Sequence, residues 1–160
     1  MQGTEVGEAY EASTSALQAA KGQRLSLRRA IAGLEQALAP PPAGEEPGAW
    51  LDHLAGALEH LDEVFAVHVQ VTEGAGGLYD EILENSPRLA NRIKRFRREH
   101  VDIAAAIGRA IAEARAPGVD GASAEALRDR TLRLFADVVR HRKRGLDLVY
   151  EAYVDIGGES

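Results

Sequence analysis

Hydrophobic residues recur every three to four positions along most of the chain, which is the spacing of one face of an α-helix. The first such stripe covers residues 6–38. Three consecutive prolines at 40–42 end it, because proline lacks the backbone N–H and clashes with the preceding turn. A loop rich in glycine, proline and glutamate follows to about Gly48. The pattern predicts one long helix followed by a loop.

The second stripe begins near Ala49 and meets the sequence Gly-Ala-Gly-Gly at 74–77, which is a strong break in a helical pattern. Residues 78–83 are predicted to continue roughly along the same axis. A serine and a proline at 86–87 predict the start of the third helix, as an N-cap followed by proline at the first helical position. This helix is predicted to end near the Pro-Gly pair at 117–118.

The predicted fourth helix opens near Ser123, and its pattern ends at a pair of glycines. No segment alternates with period two for long, so no sheet is predicted. Four amphipathic helices with short connections predict an all-α, antiparallel up-down-up-down four-helix bundle. We expect a single bundle domain at 13–156, a flexible N-terminal segment at 1–12 and a frayed C-terminal tail at 157–160.

Composition and charge narrow the functional classes. The 160 residues are the size of one ordinary domain, and they include no cysteine, which excludes disulfides, thiolate metal ligands and cysteine nucleophiles. The net charge of −6 makes nucleic acid an unexpected partner. No apolar run approaches the roughly 20 residues that span a bilayer, and the first residues lack a secretory pattern. We therefore expect a cytoplasmic protein with no membrane partner.

Three of the five histidines fall inside the apolar stripes of separate helices. At ~100° per residue, His68, His100 and His141 point toward the core, whereas His53 and His60 lie toward the edge of their stripe. Residue counts from the shared loops, at ~1.5 Å per residue, place the three at a common level. Burying several polar groups is costly unless they share a purpose, and neutral imidazole is a common metal ligand. The layer predicts a metal site; core histidines satisfied by hydrogen bonds are the alternative.

The pattern resembles the hemerythrin-like family of cation-binding four-helix bundles over residues 23–158. The resemblance rests on the segments FAVHVQVTEGAGGLYDEI, RFRREHVDI and VVRHRKRGLDLVYEAY, and on QRLSLRRAIAGLEQAL, which is similar to the first ligand helix of the family. It implies a non-haem di-iron centre for oxygen binding or sensing, held by five histidines and two bridging carboxylates. By this resemblance, His68, His100 and His141 match ligand positions on the second, third and fourth helices.

Other positions depart from the family pattern. Arg24 stands where the first-helix histidine is expected, Thr72 and Gly145 where the two carboxylates are, and Ala104 where a second histidine of the third helix is. Glu73 lies one place after the expected carboxylate position. A guanidinium repels a cation and needs a carboxylate or another anion nearby. The small residues leave room for water, a small molecule or a cofactor.

Three functional interpretations remain. In the first, the three histidines, with Glu73 or water, hold one metal ion, zinc or iron. In the second, the bundle forms a small-molecule or haem pocket, with one or two histidines as axial ligands and Arg24 pairing an acidic group. In the third, a metal-free bundle serves as a structural or interaction module with a protein partner or a second copy of the chain. We favour the first, with a role in binding or sensing rather than robust catalysis. For an enzyme, the resemblance implies metal-assisted oxygen or peroxide chemistry.

Two basic runs, at 92–98 and 140–144, are predicted to lie side by side in the antiparallel bundle. One interpretation is a surface for an anionic partner. The other is a solvated face balanced by the 25 acidic residues of the chain, and this is the one we expect.

Overall fold

Helices make up most of the chain in the computed structural model, which describes residues 3–154 and the side chains from residue 16 onward. The elements are α1 (Gly3–Ala37), α2 (Gly48–Glu73), α3 (Leu78–Asn85), a 3₁₀ turn (Pro87–Leu89), α4 (Ala90–Arg115) and α5 (Gly121–Val154). Residues 3–154 contain no β-strand. Helix α2 packs against α1 and α4, and α5 packs against α4 and α1. The predicted all-α four-helix bundle is confirmed, with α3 as a short addition.

Two predicted helix starts differ from the structure. Helix α5 begins at Gly121, because Oδ1 of Asp120 accepts a hydrogen bond of 2.8 Å from the backbone N–H of Ser123 and so caps the helix earlier. Ser86 forms no side-chain cap, and Pro87 opens the 3₁₀ turn, not α4. Both corrections move a boundary by a few residues and leave the bundle unchanged.

The glycine stretch after α2 forms a tight turn. Gly76 has a φ of +71°, a left-handed conformation that glycine adopts without steric cost, and its N–H donates to Oδ2 of Asp80 over 2.9 Å. A Cβ atom on Gly77 would lie 2.6 Å from the carbonyl oxygen of Val71. This close backbone approach lets α3, which covers the predicted continuation, pack against α2, α1 and α5.

The buried apolar residues form two clusters, and the three core histidines lie where the clusters meet. The larger cluster draws on all four long helices, and the smaller one surrounds α3. The residues that flank the histidines are Phe65 and Val71 on α2, Phe96 and Ile103 on α4, and Val138 and Leu148 on α5. The histidine layer therefore has apolar packing above and below it.

The predicted domain boundaries stay predictions. Helix α1 begins at Gly3, inside the segment 1–12 that we expect to be flexible, and the tail 157–160 lies outside the described residues. Among the helices of residues 3–154, none has the length and apolar character needed to cross a membrane.

Candidate metal centre

Three imidazole rings meet in the bundle core, one each from α2, α4 and α5. Their centroids lie 5.0 Å apart for His68 and His100, 5.6 Å for His68 and His141, and 4.8 Å for His100 and His141. One ring nitrogen of each lies within 4.8 Å of the other two. Phe65 packs against all three rings. The predicted convergence of the three histidines at one level is confirmed.

Two of the histidines are held by carboxylates. Nδ1 of His100 lies 2.7 Å from Oε1 of Glu73, and Nδ1 of His141 lies 2.7 Å from Oε2 of Glu99. Because an ionised carboxylate only accepts hydrogen bonds, each Nδ1 carries the proton and each Nε2 keeps a free lone pair. Nε2 of His141 lies 3.4 Å from Nε2 of His68. The free lone pair of His141 therefore faces a ring nitrogen of His68.

Burial keeps the three imidazoles neutral. Burial, together with positive charge on His100 and His141, lowers the pKa of His68 to about 3. Burial also lowers the pKa of His100 to about 3, with His141 and Arg97 acting in the same direction. The pKa of His141 is lowered by burial as well, although Glu99 opposes the shift. Near pH 7 all three side chains are in the form that binds metals.

The spacing of the donor atoms suits one metal ion. Two nitrogens that share a tetrahedral zinc ion at 2.0–2.1 Å are separated by roughly 3.3 Å. The 3.4 Å between the Nε2 atoms of His68 and His141 matches this span, and a ring nitrogen of His100 lies within 4.8 Å of the ligand atoms of both. Imidazole ligands suit zinc and iron. Within residues 16–154, no other cluster of three histidine or carboxylate side chains is close enough to hold a metal.

Glu73 and Glu99 contact ring nitrogens of histidines, on the side away from the centre of the cluster. Glu73 was expected as a metal ligand, and its Oε1 instead contacts Nδ1 of His100, the position from which a carboxylate orients a ligating histidine. Glu99, which sequence reasoning missed, does the same for His141 and also contacts Arg144 at 2.7 Å. Its place directly before His100 was the only signal in the sequence, and it does not reveal a contact with α5.

A cavity of about 40 Å³ borders the histidine cluster between α1 and α5. Arg24, Thr72 and Gly145, three of the four positions expected to surround the ligand, line it together with His68 and His141. The hydroxyl of Thr72 donates a hydrogen bond of 2.8 Å to the carbonyl oxygen of His68, so its partner lies in its own helix. Arg24 is half-buried, and burial followed by the nearby charge of Arg142 lowers its pKa.

Ala104, the fourth expected position, does not belong to this cavity. It is exposed on α4 and lines no part of the space beside the histidines. At ~100° per residue, Ala104 is rotated ~40° from His100, on the side away from the buried Ile103 and Ile107. This rotation is enough to carry a residue at the edge of the stripe into solvent.

Sequence reasoning also missed two buried polar neighbours of the centre. The hydroxyl of Tyr79 lies 3.5 Å from Nε2 of His100, and the two rings are stacked with an interplanar angle of 9°. Burial raises the pKa of the Tyr79 phenol, so it stays protonated. Nε2 of Gln23 donates a hydrogen bond of 2.7 Å to the carbonyl oxygen of Val64. This bond joins α1 to α2 beside the cluster.

Acidic side chains pair with several residues of the two basic runs. The pairs are Arg92 with Glu151, Arg97 with Glu73, Arg140 with Asp137 and Arg144 with Glu99. These contacts agree with the interpretation of a balanced, solvated face.

Comparison with known proteins gives one match. No curated protein and no solved structure matches the chain significantly. The sequence profile of the hemerythrin HHE cation-binding domain matches residues 20–150, which includes all three core histidines and both carboxylates that hold them. Because the match covers most of the sequence and the bundle carries a histidine cluster that can hold a metal, the chain belongs to the hemerythrin HHE cation-binding domain family.

Proposed function

We propose that this protein binds a single metal ion, zinc or ferrous iron, through His68, His100 and His141, and that it serves in binding or sensing. The observation that carries the proposal is the convergence of three neutral imidazoles from three helices within 4.8 Å. Burying imidazoles in an apolar layer is costly unless their polar atoms find partners. One shared metal ion satisfies all three.

The surrounding residues support this role by fixing the ligands. Glu73 and Glu99 hold the Nδ1 protons of His100 and His141, which sets the tautomer and ring orientation. Phe65 packs against the rings and restricts access of water. A bound ion would supply Lewis acidity, and iron would add one-electron chemistry.

A single ion is favoured over a pair because the residues for a second one are missing. By family resemblance those positions are Arg24, Thr72, Ala104 and Gly145, none of which offers a carboxylate or an imidazole. The guanidinium of Arg24 beside the cluster repels a second cation. We therefore favour a mononuclear centre over the di-iron centre that the resemblance implies.

One observation favours a metal-free structural bundle as the second candidate. Each core histidine already has a polar neighbour, Glu73 for His100, Glu99 for His141, and His141 for His68. The haem alternative has less support, because the 40 Å³ cavity is far below the ~300 Å³ at which cofactor pockets begin. The cytoplasmic location and the identity of any protein partner stay predictions.

Metal analysis of purified, untagged protein tests the proposal. After reconstitution with zinc or ferrous iron under reducing conditions and removal of free metal, we expect about one ion per chain. His100→Ala should lose the ion, and His53→Ala, which changes an exposed histidine of α2, should keep it. Circular dichroism of both variants verifies that they fold.

The two candidate functions give different results in this experiment. A wild-type protein that stays metal-free, or an unchanged metal content in His100→Ala, would defeat the assignment. If His100→Ala does not fold, His68→Gln serves as the second variant, with the same expected loss. A Soret band in the absorption spectrum would support the haem alternative instead.

A further inference from the structure

Two arginines line the cavity without an acidic partner among residues 16–154. Arg24 projects from α1 and Arg142 from α5. Among the described side chains, neither forms an ion pair or a hydrogen bond, and Nε of Arg142 is buried without a partner. Their neighbours on α5 behave differently, because Arg140 and Arg144 both pair with carboxylates. Within the described part of the chain, the positive charge at the cavity is therefore uncompensated.

This arrangement is unfavourable without an anion. The two guanidinium groups are close enough for the charge of Arg142 to act on Arg24. Guanidinium groups do not deprotonate in proteins, so the repulsion is not relieved by loss of a proton. Two arginine forks beside one space are instead suited to a planar anion such as a carboxylate, which accepts paired hydrogen bonds.

The size and lining of the cavity define the rest of the ligand. A volume of about 40 Å³ holds roughly three water molecules, so it admits only a few non-hydrogen atoms. Its walls are mainly apolar, with Ala20, Leu27, Val71 and Leu148 among the lining residues. An oxyanion that is polar on all sides would place unpaired oxygens against these walls, which is costly. A small ligand with one anionic end and one apolar end fits better.

We propose that this cavity binds a short-chain monocarboxylate, with the carboxylate on Arg24 and Arg142 and the alkyl end against the apolar wall. The two arginines and the cavity carry this proposal, which is independent of the metal proposed above. Since His68 and His141 also line the cavity, the test must separate binding by arginine from binding by a metal ion.

Isothermal titration of metal-free, full-length protein with acetate and propionate tests the site. The solutions are held at constant pH and ionic strength in the presence of a chelator. We expect saturable binding of one carboxylate per chain. Arg24→Gln and Arg142→Gln should each weaken it at least tenfold, and Arg29→Gln, an exposed arginine of α1, should leave it unchanged. Phosphate and nitrate should bind more weakly than acetate.

A second readout keeps the proposal falsifiable if a variant binds poorly for other reasons. Arg24→Gln should melt no earlier than the wild type in anion-poor buffer, because it removes a like-charge repulsion. Equal acetate affinity in wild type and both arginine variants would overturn the proposal. So would stronger binding of phosphate than acetate, or acetate binding that appears only after metal is added and disappears in His100→Ala. A protein that binds no metal but binds acetate through the arginines would refute only the metal centre.

Discussion

Glu99 provides a sharp test of the metal centre, because His141 is the one histidine of the cluster to which it is hydrogen-bonded. Its Oε2 lies 2.7 Å from Nδ1 of His141, and its Oε1 lies 2.7 Å from the guanidinium of Arg144. Glu99→Gln keeps the size of the side chain but removes the charge that fixes the Nδ1 proton. Loss of such an orienting carboxylate typically weakens metal binding about 10- to 100-fold, or about 1.4–2.7 kcal/mol.

Competition with a chromophoric zinc chelator at pH 7 measures this loss. Glu63→Gln, which changes an exposed glutamate of α2, is the control for a lost charge. Arg144→Gln is the control for the ion pair, because it removes the arginine and leaves the contact with His141. We expect both controls to bind zinc within about threefold of the wild type, since exposed ion pairs contribute little. Glu73→Gln should behave like Glu99→Gln, through His100.

Two results would contradict an orienting role of Glu99. Wild-type zinc affinity in Glu99→Gln would mean that the carboxylate does not support a ligand. An equal loss in Arg144→Gln and Glu99→Gln would place the effect in the ion pair and not in the histidine contact.

Two further predictions concern stability. The pKa of His68 and of His100 is about 3 in the folded protein against ~6.5 unfolded, so below pH 6.5 the unfolded chain binds more protons. The free energy of unfolding should therefore fall from pH 6.5 toward pH 3, by up to ~1.4 kcal/mol per pH unit for each histidine. Urea titrations of metal-free protein measure this fall. If the dependence of unfolding free energy on pH is as steep in His68→Gln as in the wild type, the prediction is contradicted. By the same method, Gly77→Ala should lower the free energy of unfolding by about 1–3 kcal/mol, because its Cβ would lie 2.6 Å from a backbone oxygen. Gly22→Ala, which has open space around it in α1, should raise the free energy of unfolding by about 0.5–1 kcal/mol. Equal effects of the two substitutions would count against the tight turn.

The sequence predicts those features that follow from regular helical geometry. The apolar period sets the helices, and a fixed rise per residue brings His68, His100 and His141 to one level. What it does not predict depends on the rotation of each helix and on side-chain rotamers. Glu99 contacts a neighbouring helix rather than its own, and Ala104 falls just outside the buried stripe. Neither position carries a distinguishing pattern along the chain.

Anomalous diffraction at the zinc or iron edge, from crystals of the metal-loaded protein, would locate the bound ion in the core. We predict one anomalous peak per chain, among the Nε2 atoms of His68, His100 and His141. Glu73 and Glu99 should still contact the Nδ1 atoms of His100 and His141. Two peaks in the core, a peak outside the three imidazoles, or no peak in fully loaded crystals would contradict this prediction.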